Sequence, residues 1–451
     1  MSFDSDKMSQ ESLPNVFVER MRRLLGDDYE AFERALEGAP TVSLRVNPRK
    51  AADGREMPMG NRVPWCETGR YLTERPAFTF DPLLHAGAYY VQEAASMFLE
   101  RAVGRYVTEP VVALDLCAAP GGKSTHLIST LPEGSLLVSN ETIRSRSRVL
   151  AENMAKWGAP SVVVTQADAK DFGRLTHRFD LIVADMPCSG EGMFRKQPDA
   201  TQYWTLDYPA QCAQLQREIL TAAMSMLAKD GRLVYSTCTW APEENEGIVA
   251  WLLEEFPLEL IDIPKINGMT EGIGFPETAR MYPHRFKGEG QFAAHFRFTG
   301  ENSSKKIKSS KNRLTSEQRK LWQDFESKHL KTVLTGELQT FGDNLYLLPA
   351  GLPDLSKLKI ARNGLHLGTF KKNRFEPSFA LGLAMKPSEV SKQVEINEQD
   401  FTKYAAGETI ELAETQPNGW YQLVLGGNGL GFAKVTGKTL KNYFPKGLRF
   451  R

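Results

Sequence analysis

Between Val111 and Phe256 short apolar runs alternate with stretches of helical periodicity. In order these are VVALDLC, then a Gly-rich turn and STHLIST; SLLVSNE, then SRSRVLAENMAKWG; SVVVTQAD; FDLIVAD; a helical stretch from Ala210 to Leu227; GRLVYSTCTW; and ENEGIVAWLLEEF. Continuous apolar runs suit strands buried on both faces, and the helical lengths between them suit the crossovers that parallel strands require. The pattern predicts an α/β fold, a doubly wound and mostly parallel sheet with helices on both faces. MYPHRFKGEGQFAAHFRF reads as a closing β element of the same domain.

At 451 residues the chain exceeds one ordinary core, so further domains are expected. Residues 1–105 mix helical periodicity with short β-like pieces such as VSLRVNP and read as an α+β appendage. Residues 106–300 hold the alternating pattern. Residues 301–315, Ser/Lys-rich and without apolar periodicity, read as a linker. A basic domain is expected over 316–388 and a last domain over 389–451, which ends in a basic tail with interleaved aromatics. Charge is balanced, 56 Lys and Arg against 55 Asp and Glu, so only its local distribution bears on a nucleic-acid partner. The polar start MSFDSDKMSQESLP has no apolar signal core and no stretch approaches the roughly 18 apolar residues of a membrane span, so the expectation is a cytoplasmic protein without membrane contact.

Five cysteines, Cys66, Cys117, Cys188, Cys212 and Cys238, include no C-x-x-C pair. Neither a disulfide framework nor a metal centre is expected from that spacing. Cys212 lies within a helical pattern and reads as a small buried apolar residue.

LDLCAAPGGKST follows the first strand and opens a helix, where a Gly-rich turn lets backbone N–H groups approach a ligand. Aligned as a phosphate loop, it has Cys117 where the first Gly must stand, and G-x-G-x-x-G does not occur. Acids follow three successive strands: Glu141, at the distance from the Gly turn that reaches ribose hydroxyls; Asp168, suited to an adenine amino group; and Asp185. Each alone reads as a helix cap. Together they point to a nucleoside cofactor without phosphates, and S-adenosyl-L-methionine fits.

Cys188 in DMPCSG and Cys238 in STCTW follow adjacent strands, so both thiols are expected at one pocket. Methylating carbon 5 of a pyrimidine needs this equipment. A thiolate adds at carbon 6 to make carbon 5 nucleophilic, and an acid stabilises the charge developing at N3. Asp185 is placed to hold N3 and the exocyclic amine, which favours cytosine.

LDLCAAPGGKS, ADMPCSGEGMFRK and LVYSTCTWAPEENE, with SLRVNP and YYVQEAASM upstream and RFEPSFALGLAM and KNYFPKGLR downstream, resemble the RNA (cytosine-5)-methyltransferases of Sun/Nop type, in the RsmF-like branch acting on bacterial 16S ribosomal RNA. The resemblance implies a Rossmann-like S-adenosylmethionine-dependent methyltransferase sheet with an N-terminal RNA-binding appendage and a C-terminal PUA-like RNA-binding region. It implies Cys238 as nucleophile, Cys188 as the product-release thiol, and cofactor contacts from Cys117, Ala118, Ala119, Pro120, Gly121, Gly122, Lys123, Glu141, Arg146, Asp168 and Asp185. The expected partner is 16S ribosomal RNA within the small subunit, bound by a monomer, with transfer RNA as the alternative substrate. Arg195 and Lys196 near the site, and Lys371, Lys372, Arg374, Lys441 and Lys446 downstream, are expected to contact RNA. His85 and His126 are assigned packing or hydrogen bonding. Two rival readings are an amino-directed methyltransferase with structural cysteines and a non-catalytic RNA-binding factor.

Overall fold

The computed structural model describes residues 13–51, 57–175, 178–302 and 314–450. Most of the Ser/Lys-rich segment read as a linker, 303–313, lies outside them. The alternating region forms strands β1 (Val112–Asp115), β2 (Leu136–Asn140), β3 (Val162–Thr165), β4 (Phe179–Asp185) and β5 (Leu227–Thr237), followed by β6 (Leu258–Ile261), β7 (Thr270–Gly272), β8 (Phe275–Met281) and β9 (Gln291–Phe298). A tenth strand, β10 (Ile360–Arg362), arrives from far downstream. The sheet order is β7-β8-β9-β5-β4-β1-β2-β3-β10, with β6 also paired to β9. Neighbours among β1–β5 are parallel, and β5–β9 and β3–β10 are antiparallel.

The strands read as continuous apolar runs because both faces are buried. Along β4, Leu181 and Val183 enter one core while Ile182 and Ala184 enter the other; β3 divides Val162 and Val164 from Val163 in the same way. Strand order reverses at β1, flanked by β2 and β4, so a crevice opens beyond the carboxyl ends of these strands.

Two boundaries differ from the sequence reading. The helix before β5 covers Tyr208–Met224, and β5 begins at Leu227 rather than Gly231. Leu227 is buried and pairs with Phe179, and a turn with Asp230 at φ 58° lies ahead of the regular ladder. Burial of Leu227 outweighs the turn signal of Asp230-Gly231.

The appendage contains helices Asn15–Leu25 and Tyr29–Glu37 and a four-stranded antiparallel sheet. Its helices pack Phe17, Met21 and Phe32 against Phe194, Trp204 and Trp240, residues of the loops that follow β4 and β5. Arg45, on the strand Ser43–Val46, is fully buried. Its guanidinium donates to Gln92 Oε1 (2.9 Å), Gly122 O (3.1 Å), Thr125 O (3.3 Å) and Thr125 Oγ1 (2.5 Å), binding the appendage to the helix Gly122–Thr130.

Downstream, the helix Ser316–His329 starts at a capping box of Thr315 and Gln318 and packs Trp322 and Phe325 against an antiparallel four-stranded sheet. The last unit is a three-stranded sheet, Gln393–Glu395, Ile410–Leu425 and Asn428–Lys441, covered by the helix Glu398–Ala406. These units close back on the rest. Asn428 exchanges two hydrogen bonds with the backbone of Ala51, and Arg362 of β10 donates to Val162 O (2.9 Å) and Ala159 O (3.1 Å). Arg362, one of the basic residues of the downstream region, is thus turned inward.

Arg45→Ala should remove four buried hydrogen bonds, three of them to the helix Gly122–Thr130, and leave a cavity at the junction. The expected loss is about 3 kcal/mol of stability, measured as a shift in the urea midpoint against wild type.

Candidate active site

Strands β4 and β5 run parallel and in register, Asp185 opposite Ser236. Both therefore deliver their next residues to one edge of the sheet. Cys238 follows β5 directly and Cys188 lies on the turn after β4, and their Sγ atoms stand 3.3 Å apart. Both are free thiols and half-buried. The hydrogen bond to Cys238, followed by burial, pushes the Cys188 thiol well above its ordinary range, so Cys188 keeps its proton.

The turn carrying Cys188 is held from beneath. Buried Glu244 accepts from the Ser189 N–H (3.1 Å) and from Gln216 Nε2 (2.8 Å), and Gln216 also donates to Pro187 O (3.0 Å). Ser189 and Thr239, each the neighbour of one thiol, share a hydroxyl hydrogen bond of 2.8 Å. Tyr235 donates to Gln216 Oε1 (3.0 Å) and to the Glu244 carbonyl. Burial raises the Glu244 carboxyl to about 7.

Asp185, at the end of β4, is one-third exposed. Its Oδ1 accepts from Ser236 Oγ (2.7 Å) and its Oδ2 pairs with Lys123 Nζ (2.8 Å), which also donates to Ser96 Oγ (2.9 Å). The carboxylate is oriented from two sides.

The Gly turn after β1 places Gly121 at φ 117°, a backbone that favours glycine; an added Cβ would also meet Met154 Cε at 2.9 Å. Arg146 donates to Ala119 O (2.9 Å) and pairs with Glu141 (3.3 Å), while Asn153 donates to Pro120 O (2.8 Å). Asn140 joins the ends of β1 and β3, donating to Leu116 O and Ala167 O. Ala118 and Ala119 are buried, and burial pushes the Cys117 thiol up. Asp115, fully buried at the end of β1, accepts from Ser124 Oγ (2.6 Å), and its Oδ1 has no hydrogen-bond partner among the described residues. Burial raises its carboxyl to about 7. Asp168 is exposed and caps the short helix Ala169–Phe172 by accepting from Lys170 N (2.9 Å), the bland role open to any acid after a strand.

Asp115, Asn140 and Glu244 escaped the sequence reading. Asp115 ends a strand beside the Gly turn, the signal that selected the other acids. Glu244 carries no local signal, because only tertiary packing brings it under Ser189.

Arg195 does not present itself to RNA. Its side chain is buried, paired with Glu289 (2.9 Å) and donating to Ala35 O (3.0 Å) and Gly288 O (2.7 Å), so its guanidinium is spent inside the protein. Lys196 is half-buried. Lys371, Lys372 and Arg374 are exposed at one hairpin, with Arg374 paired to Glu376 (2.9 Å), and Lys441 and Lys446 are exposed. Of the adjacent tail aromatics Tyr443 and Phe444, Tyr443 is exposed, with its ring 4.7 Å from Trp420, and Phe444 is core, packed on Phe379 and Tyr404.

An acid-lined Gly turn over a doubly wound sheet, without a phosphate loop, defines a methyltransferase rather than a nucleotide hydrolase or a dinucleotide-binding enzyme. Residues 107–297 match the family described as 16S rRNA methyltransferase RsmB/F, and residues 13–94, 324–385 and 391–450 match the N-terminal, first C-terminal and PUA domains of RsmF. The chain is 30% identical to ribosomal RNA small subunit methyltransferase F of Shewanella oneidensis over 90% of each chain, and 29% identical to that of Erwinia tasmaniensis over 96% of each. A crystal structure of a methyltransferase homolog protein from Pyrococcus horikoshii, 28% identical, superposes with a TM-score of 0.55 over 63% of this chain and 95% of that one. The chain belongs to the 16S rRNA methyltransferase RsmB/F family.

The raised Glu244 carboxyl has a thermodynamic consequence. A carboxyl whose folded pKa lies above its unfolded value contributes stability at acid pH that is lost as pH rises through the folded value. Wild type should therefore lose stability relative to Glu244→Gln between about pH 4.5 and 7, read from urea midpoints of the two proteins across that window; a constant difference would contradict the assignment.

Proposed function

We infer that this chain methylates carbon 5 of cytosine in 16S ribosomal RNA, using S-adenosylmethionine and a covalent cysteine adduct at carbon 6. The observation that carries the reading is the pair of thiols 3.3 Å apart at the ends of two parallel strands, next to the oriented carboxylate of Asp185. A structural cysteine pair has no need of such a carboxylate.

The donor set suits the cofactor. Asp115 has a buried oxygen without a partner among the described residues, Glu141 is buried beside the Gly turn, and Lys123 is paired with Asp185 rather than offered to a phosphate. Cys117, Ala118, Ala119, Pro120, Gly121, Gly122 and Lys123, with Glu141, Arg146, Asp168 and Asp185, form its cradle. When bound, S-adenosylmethionine supplies an electrophilic methyl group.

The protein's own residues do the rest. The Cys238 thiolate bonds to carbon 6 of the base, and the electron pair displaced from the ring makes carbon 5 nucleophilic. Asp185 accepts from the exocyclic amine, which selects cytosine over uracil, and holds the proton that N3 takes up during addition. Once carbon 5 is methylated, its proton passes to water and the carbon–hydrogen pair restores the carbon 5–carbon 6 double bond; the carbon 6–sulfur bond breaks, Cys238 leaves with the electron pair of that bond, and N3 returns its proton to Asp185. Cys188, which holds its proton beside that sulfur, donates to it as it departs. The target base must leave the RNA stack to reach these thiols. Exposed Lys371, Lys372, Arg374, Lys441 and Lys446, with Lys196 nearer the site, hold backbone phosphates. The substrate form is the small ribosomal subunit and the enzyme acts as a monomer.

Incubated with small subunits and radiolabelled S-adenosylmethionine, Cys188→Ala should accumulate a labelled protein–RNA band on denaturing gels, while Cys238→Ala and the double mutant should not. Methylation surviving in both single mutants would sink the mechanism. Asp185→Asn should fold normally and lose roughly 100-fold or more in kcat, measured as 5-methylcytosine formed per enzyme.

A further inference from the structure

We propose that Cys66, Glu100 and His126 bind one divalent cation of zinc type and so fasten the N-terminal appendage to the helix that opens at the cofactor loop. The three residues come from separate elements. Cys66 lies in the turn before the strand Gly69–Leu72, Glu100 on the helix Leu99–Val103, and His126 on the helix Gly122–Thr130. No local spacing announces such a site, which is why cysteine counting along the sequence misses it.

The ligand atoms have the mutual distances of a coordination sphere. His126 Nε2 lies 3.3 Å from Glu100 Oε2 and 3.6 Å from Cys66 Sγ, and the three atoms are all within 4.8 Å of one another. Tetrahedral zinc with bonds of about 2.3 Å to sulfur and 2.0–2.1 Å to nitrogen and oxygen holds its N and O ligands about 3.3 Å apart and its S and N ligands about 3.6 Å apart. Sulfur, imidazole and carboxylate form a donor set that zinc accepts and that magnesium or calcium, which want oxygen alone, do not.

Cys66 and His126 are each 1% exposed, while the Glu100 side chain is 28% exposed and borders a cleft of about 600 Å³ that His126 also lines. The cation thus has an entry path, and water from the cleft completes four-fold coordination. A cysteinate and a carboxylate balance its charge. Thr68 Oγ1, 3.7 Å from Cys66 Sγ, stands ready to donate to the thiolate. His126 follows Gly122 and Lys123 by one helical turn, and Arg45 already binds the same turn from the appendage. The cation would reinforce that junction without entering the reaction.

The test uses the full chain with Cys188→Ala and Cys238→Ala, so that the catalytic thiols offer no competing site. Metal-free protein is titrated with Co²⁺. The expected result is one equivalent bound, with visible d–d bands, a near-ultraviolet cysteinate-to-cobalt band, displacement by Zn²⁺ and a rise in thermal midpoint with Zn²⁺. Adding Cys66→Ser should abolish the charge-transfer band, and adding His126→Gln should weaken binding and remove the thermal shift. A background protein that binds no cobalt overturns the proposal, as does a charge-transfer band that survives Cys66→Ser. Because the background titration needs neither extra variant, a folding failure in one of them leaves the decision intact.

Discussion

The parallel, in-register pairing of β4 with β5 governs the chemistry. Parallel strands end at the same edge of a sheet, and neighbours lie about 5 Å apart. A thiol on the residue after one and a thiol three residues after the other therefore meet, provided the longer turn folds back. Glu244, Gln216 and the Ser189–Thr239 hydroxyl pair enforce that return. Burying Glu244 raises its carboxyl, a cost accepted to hold the Cys188 turn beside Cys238.

The appendage and the downstream units act on this edge from outside. The N-terminal helices cover the loops after both thiols through Phe194 and Trp240, so the turns carrying Cys188 and Cys238 are sandwiched between sheet and appendage. Arg45 reaches the opposite end of the site, at the helix carrying Gly122 and Lys123. Lys123 in turn pairs with Asp185 at the end of β4. One chain of contacts thus runs from the appendage through the Gly turn to the carboxylate beside the thiols. Strand β10 encloses the far edge of the sheet beside β3, which covers an otherwise open ladder.

The sheet was legible because strand segments buried on both faces must be apolar, and Val162–Val164 of β3 and Leu181–Ala184 of β4 are. The thiol pair was legible because the ends of parallel strands are predictable from the runs themselves. β10 was not, since three residues, Ile360 to Arg362, carry no periodicity. The basic residues show the same limit. Arg195 and Arg362 look in sequence like Lys371 and Lys372, yet two guanidiniums bind internal carbonyls while two lysines stand in solvent. Phe444 and Tyr443 are adjacent, and only burial separates a core ring from an exposed one.

By itself the sequence determined the βα alternation, the Gly turn that excludes a phosphate loop, and the two cysteines and the acids at strand ends, because each depends on residues near one another in the chain. Tertiary structure alone decided which charges remain outside, that Glu244 supports Ser189, and that Cys66, Glu100 and His126 converge. These are contacts between residues dozens to hundreds of positions apart, selected by the packing of whole elements, and no local pattern encodes them.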